Sequence, residues 1–222
     1  MSESIAQEAP RTVADVDRAR IEARKKLWRL GHLEWKFEGG PWAREMYDFT
    51  RKNWGRSPYL IWGVHRRGWK STTGIVIALE ECLREANTRC AIICKTKDQA
   101  QEICDVSMVE LLADCPPSLA PRKIKNDFAY QFDHNGSFLK ILSLDGKHAL
   151  KARGRKFKFI LITEFGFIEK IDKILKSSIL PTLRDVTGKN LGMLVLESTP
   201  PEEAGHPMQE MVAEAELDGR LF

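Results

Sequence analysis

Tyr59-Leu60-Ile61-Trp62-Gly63-Val64-His65-Arg66-Arg67-Gly68-Trp69-Lys70-Ser71-Thr72 runs from an apolar stretch into a basic, glycine-bearing turn that closes on Lys-Ser. This is the outline of a phosphate-binding loop. A strand delivers the loop, backbone N–H groups wrap the phosphates, the lysine reaches the β- and γ-phosphates, and the hydroxyl after it holds Mg²⁺. Residues Thr72 to Glu85 are apolar at helical spacing, so the loop opens a helix whose N-terminus favours anions. The match to G-x-x-x-x-G-K-[ST] is displaced. Val64 and Trp69 stand at its two glycine positions, and the glycines fall one place earlier, at Gly63 and Gly68. The loop alone also fits an ordinary strand-turn-helix connection with a solvated lysine.

Downstream of the loop, Arg89 to Lys95 reads as a buried strand, followed by a helix from about Asp98 to Leu112. Phe128–Phe132 and Phe138–Leu144 flank Asp133-His134-Asn135-Gly136-Ser137, a hairpin signal. Two further apolar strands, Phe157–Ile162 and Leu191–Leu196, enclose a helical stretch from about Glu169 to Leu183. Strands apolar on both faces, alternating with helices, imply a largely parallel sheet covered by helices. Upstream, Thr12 to Leu30 reads as a helix that Gly31 ends. Gly39-Gly40-Pro41 then separates this N-terminal helical arm, residues 1–40, from a main domain, residues 41–222, that begins with a short helix from Trp42 to Lys52.

Composition narrows the class. Of 222 residues, 43% are hydrophobic and 30% charged, which suits one α/β domain with a sizeable core and argues against disorder. The net charge of +4 is modest, but basic residues cluster at Arg18, Arg20, Arg24, Lys25, Lys26 and Arg29, and again at Lys147, Lys151, Arg153, Arg155, Lys156 and Lys158. Either group is a solvated face or a phosphate-binding one. Cys82, Cys90, Cys94, Cys104 and Cys115 make an odd count without Cys-x-x-Cys spacing, the usage of reduced thiols without structural zinc. No apolar stretch is long enough to span a bilayer and no signal peptide is visible, so the expectation is a soluble, intracellular protein without membrane partners.

Two strand ends carry the remaining chemistry. Phe157-Lys158-Phe159-Ile160-Leu161-Ile162-Thr163-Glu164 ends in a carboxylate. In a phosphate-loop enzyme such a strand lies beside the loop, its first terminal acid supports Mg²⁺ and its second activates water. Here Thr163 takes the first place, with a hydroxyl able to hold a metal-bound water but unable to offset the metal's charge, and Glu164 the second. Leu194-Val195-Leu196-Glu197-Ser198-Thr199-Pro200-Pro201 ends in hydroxyls at a forced turn, able to sense the γ-phosphate or simply to turn the chain.

In that order the motifs resemble the ATPase domain of the terminase large subunit, the DNA-packaging motor of tailed bacteriophages. That family has an arginine four residues before the loop lysine, matched by Arg66 and Lys70, and tolerates non-glycine residues in the loop. A Thr-x-x-Gln-Ala-like segment follows, here Thr96 to Ala100. An Arg-Gly pair, Arg153-Gly154, precedes Thr163 by ten positions, and a Ser-Thr-Pro coupling motif closes the series. The likeness runs from about Trp42 to Thr199.

The resemblance implies a P-loop NTPase fold of the RecA/ASCE kind, mostly parallel and flanked by helices. It implies Mg²⁺-dependent ATP hydrolysis that drives double-stranded DNA through a ring of subunits, without sequence preference. Arg67, Gly68, Trp69, Lys70, Ser71 and Thr72 would bind ATP, Ser71 and (through water) Thr163 would hold the metal, and Glu164 would activate water. Ser198 and Thr199 would couple hydrolysis to movement. Arg153 is the candidate arginine finger for a neighbouring subunit, or else part of a basic loop; Arg66 is the alternative in cis. Trp42 occupies the place of an adenine-recognising aromatic, without the glutamine that often accompanies it, and equally fits a packing role.

Partners implied by the likeness are portal and small terminase subunits in the host cytoplasm. Family members also carry a nuclease domain, for which the residues after the coupling motif leave no room, so no nuclease activity is expected of this chain. A helicase-like translocase, or a nucleotide- or DNA-binding assembly module with little turnover, are the competing expectations.

Overall fold

The computed structural model describes residues 13–37, 40–124, 127–144, 156–169, 171–184, 187–189, 191–199 and 207–222. Arg153, most of the second basic cluster and the prolines after Thr199 lie outside them.

Among the described residues, seven strands form one sheet: β1 (Leu60–Gly63), β2 (Arg89–Cys94), β3 (Arg122–Lys123), β4 (Ala129–Phe132), β5 (Ser137–Ser143), β6 (Phe159–Thr163) and β7 (Met193–Ser198). Their spatial order is β1-β7-β6-β2-β5-β4-β3. The first five in that order are parallel, and β4 and β3 continue the sheet antiparallel through the expected hairpin.

Side-chain alternation explains why both faces need cover. Trp62, Ile92, Leu161 and Val195 enter one hydrophobic core, while Ile61, Ile93, Ile162 and Leu196 enter the other. Neighbours in a strand point to opposite faces, so a strand that is apolar throughout must be covered twice. On the first face lie α2 (Pro41–Asn53), α3 (Lys70–Arg84), α4 (Lys97–Glu102) and α5 (Met108–Leu112), the last two joined by a π turn, Ile103–Ser107. The second face is covered by α6 (Ile171–Ile174), the turns that extend it to Leu183, and α7 (Pro207–Leu217). No described helix is long and apolar enough to cross a membrane.

The strand that ends in Glu164, β6, is separated from the loop strand β1 by β7, which is inserted between them. Register pairs Gly63 with Ser198 and Thr163 with Glu197, so the ends of β1, β7 and β6 stand side by side. The reason is topological. A right-handed return from β6 through α6 can place β7 in the vacancy next to β1, where it is buried on both edges.

The N-terminal helix α1 (Val13–Leu30) ends at Gly31, φ 61°, as expected. Its residues 15–23 are exposed, but Trp28, Leu33 and Phe37 are buried in the main core. Glu80 on α3, fully buried, fastens this junction. It accepts hydrogen bonds from Leu33 N (2.6 Å) and Tyr47 Oη (2.8 Å) and pairs with the guanidinium groups of Arg51 and Arg84. At the other end of the chain, the backbone of Arg220 to Phe222 hydrogen-bonds the free edge of β1, which the sequence did not reveal. That covers an edge strand that would otherwise be open.

Candidate nucleotide site

The segments that follow the carboxyl ends of three parallel strands, β1, β2 and β6, meet at a cavity of about 650 Å³. The segment after β1 supplies Arg66 to Thr72, the segment after β2 supplies Lys95, Thr96 and Gln99, and the segment after β6 supplies Glu164 and Phe167. The sequence-derived loop, acid and Thr-x-x-Gln segment are therefore brought together. Trp42 lines neither this cavity nor its neighbour and is half-exposed on α2.

Backbone conformation marks the same place. Of the four described non-glycine residues at positive φ, three line the cavity: Arg67 (63°), Trp69 (61°) and Glu164 (49°). Left-handed conformations cost a side-chain-bearing residue about 1–2 kcal/mol each and persist where surrounding structure imposes them. Gly68 answers a different demand. A Cβ there would collide with Val64 Cγ1 and come within 3.0 Å of the His65 carbonyl, so the glycine is required for space. The displaced glycine pattern thus makes structural sense: Val64 packs beneath the loop, and glycine sits where the loop folds back over it.

Lys70 is buried at the start of α3, its Nζ donating to the His65 carbonyl at 3.1 Å. Thr96 and Gln99 form a reciprocal cap at the start of α4, Gln99 N donating to Thr96 Oγ1 at 3.3 Å and Thr96 N to Gln99 Oε1 at 3.3 Å. That rigid turn holds one cavity wall. Opposite it, Glu164 Oε2 lies 3.4 Å from Ser198 Oγ, which also lies 3.1 Å from the Thr199 carbonyl. The acid at the end of β6 and the hydroxyl at the end of β7 are in contact.

Glu197 is the residue that the sequence reading passed over. It is fully buried on β7, and its Oε1 accepts from Ser71 Oγ at 2.7 Å, while Oε2 is 4.0 Å from Lys70 Nζ and has no hydrogen-bond partner among the described residues. Burial pushes its carboxyl up to about 7; the Ser71 hydrogen bond and Lys70 act to lower it, and Glu164 raises it. The available signal was an acid at an inward position of an apolar strand, sharing its face with Met193 and Val195. Thr163 is turned elsewhere: its Oγ1 faces the Ile93 carbonyl on β2, at 3.4 Å.

The donor set suits Mg²⁺ shared with phosphate. Ser71 offers a hydroxyl oxygen, and Glu197 offers a carboxylate with an orphaned, buried oxygen beside it. Among the described residues, no group of three or more His, Cys, Asp or Glu side chains could hold a metal alone. Mg²⁺ commonly takes one or two protein groups, substrate phosphates and water. A second cavity of about 610 Å³ adjoins the first and shares Arg67, Trp69 and Thr72 with it; Trp35 and Leu111 form its apolar walls.

A scan against protein-family models and a search of curated proteins give no match. Solved structures do match. The large terminase of bacteriophage HK97 superposes with a TM-score of 0.64 at 15% identity, over 82% of this chain and 38% of that one. A large terminase from a thermophilic bacteriophage, solved in complex with ADP, gives 0.57 at 10% identity, over 82% and 44%. The large terminase ATPase domain of Thermus phage P74-26 gives 0.51 at 18% identity, over 65% and 61%. This chain therefore spans less than two thirds of each of these proteins. It has the fold of the large-terminase ATPase domains, a P-loop NTPase fold with a mostly parallel sheet.

Proposed function

We propose that the protein is a Mg²⁺-dependent ATPase of the DNA-packaging motor type, in which hydrolysis at this cavity drives double-stranded viral DNA into a capsid. The observation that carries the reading is the convergence of a strained, basic loop, a buried Lys70 and the Glu164 carboxylate on one cavity at the carboxyl ends of parallel strands. The fold shared with large terminases, one of them solved with ADP, supports it.

In this reading the triphosphate lies across Arg67 to Thr72. Lys70 leaves the His65 carbonyl to meet the β- and γ-phosphates, and the N-terminus of α3 adds its partial positive charge. Ser71 holds Mg²⁺, which when bound offsets charge on the phosphate oxygens. Glu164 orients and deprotonates the attacking water. Its contact with Ser198 gives a route by which loss of the γ-phosphate reaches β7, Thr199 and the segment beyond. Arg66, exposed on the cavity rim, can act in cis, and Arg153 of a neighbouring subunit in a ring can act in trans. The base would enter the second cavity, which Trp35 and Trp69 line and Trp42 does not, so these two are the candidate aromatic contacts. DNA contacts in such a motor are to phosphates, so binding weakens steeply with salt. Portal and small-subunit contacts belong to the same proposal.

Steady-state ATP hydrolysis across a range of protein concentrations, with and without DNA, tests the reading. Glu164→Gln should lower turnover by about 10²-fold or more, the scale of a lost general base. Turnover that rises faster than linearly with concentration supports a site completed by a neighbour. ATP binding without any hydrolysis, at high concentration and with DNA, would instead favour an assembly module.

A further inference from the structure

A carboxylate in the interior of a sheet needs a reason. Glu197 has no exposed surface, and it sits on β7 in register with Trp62 of β1 on one side and Thr163 of β6 on the other. Its side chain lies on the face covered by α3, where Met193 and Val195 of the same strand are core residues. Removing a carboxylate from water costs several kcal/mol unless partners satisfy both oxygens. Here one oxygen is satisfied by Ser71 and the other finds no partner among the described residues, because Lys70 Nζ at 4.0 Å is beyond hydrogen-bonding distance. An apolar residue would serve the fold alone better.

The orphaned oxygen and the Ser71 contact identify what is missing. A hydroxyl that donates its proton to a carboxylate keeps its lone pairs free for a cation. Hard oxygen donors select Mg²⁺ or Mn²⁺ over softer-ligand metals. Thr163 lacks a charge and engages the Ile93 carbonyl instead. Because β7 stands between β1 and β6, an acid on β7 is one strand nearer to Ser71 than an acid at position 163 would be.

Resting on the nucleotide reading of this cavity, we propose that Glu197 supplies the metal-supporting carboxylate that position 163 lacks. It holds the Ser71 hydroxyl in its metal-binding orientation and offers its second oxygen to a water on the ion. The acid has moved to the adjacent strand, and the charge deficit expected from Thr163 is made good there. Glu197 is thus a positioning residue for the metal, separate from Glu164, which faces the reacting phosphate.

The test is the affinity of ADP and of a non-hydrolysable ATP analogue, measured by calorimetry in excess Mg²⁺ and again in chelator. Depletion of free Mn²⁺ from solution, followed by its paramagnetic resonance signal, provides a second readout. For Glu197→Gln the gain in affinity on adding metal should shrink about 10–100-fold, the usual cost of a lost supporting partner, while metal-free affinity does not fall, because a negative charge has been removed beside the phosphate site. Ser71→Ala should lose the same gain, and the double variant should be no worse than either single one, because both remove one interaction. If Glu197→Gln fails to fold, Ser71→Ala at the half-buried start of α3 still decides: a full metal gain in that variant overturns the proposal. So does a full metal gain in Glu197→Gln, or an equal loss with and without metal. Nucleotide binding by the unaltered chain with no metal dependence overturns this inference and the metal role of Ser71 but leaves the nucleotide site standing, whereas no nucleotide binding at all overturns the reading of the cavity itself.

Discussion

Gly68 and Arg67 are neighbours with opposite requirements, and the difference is measurable. The missing Cβ of Gly68 leaves room for Val64 and the His65 carbonyl, so Gly68→Ala must push the loop outward. We expect it to weaken nucleotide affinity at least about tenfold, since loop donors that shift by a few tenths of an ångström no longer converge on one anion. Arg67, at φ 63°, holds a side chain in a left-handed conformation. Arg67→Gly relieves about 1–2 kcal/mol of that strain against about 0.5–1 kcal/mol of added chain entropy. Urea denaturation should therefore show it equal to or up to about 1.5 kcal/mol more stable than the unaltered chain. The loop's lysine, serine and arginines were legible because each carries chemistry in its own side chain. Trp35 and Glu197 were not, since a tryptophan in a short turn and a glutamate in a strand acquire meaning only from what lies across from them.

Between elements, helix α3 is pressed so closely on β6 that propensity and packing disagree about Gly74. Alanine is favoured over glycine inside a helix by about 1 kcal/mol. Yet a Cβ at Gly74 would lie 2.5 Å from Leu161 Cδ2 and 2.8 Å from Cδ1. Overpacking of this kind costs about 1–3 kcal/mol, so the contact wins where the helix cannot recede. Gly74→Ala is expected to lower stability in urea by up to about 2 kcal/mol, after subtraction of the propensity gain, without a change in the denaturant slope. Higher stability would mean that α3 moves freely on the sheet. The elements themselves were readable: the expected helices and strands through β7 are present, with ends shifted by at most two residues, because period and breakers are local properties. The position of β7 between β1 and β6 was not, since spatial order depends on which apolar edge each strand finds.

Across the whole chain, the division at residue 40 has a physical test. Trp28, Leu33 and Phe37 fill the core on the α3 face, and Leu33 N is one of the partners of buried Glu80. A chain beginning at residue 41 would expose that core and leave part of the Glu80 network unsatisfied. We expect it to lose more than about 3 kcal/mol, judged from the cost of deleting even one large core side chain, and to precipitate or bind hydrophobic dyes. A soluble chain with an unchanged melting temperature would support the boundary at residue 40. The parallel α/β architecture, the loop, the acid at the end of β6 and the order of the motifs could all be read along the chain. Periodicity, turn chemistry and charged side chains at strand ends need no distant partner to be recognised. Three features came into being only on folding: the end of the arm joins the core, the last residues seal the β1 edge, and Glu197 reaches Ser71. Each of these joins residues far apart in sequence, and burial, which gives a side chain its unmet hydrogen bond or its missing space, exists only once the chain has closed around it.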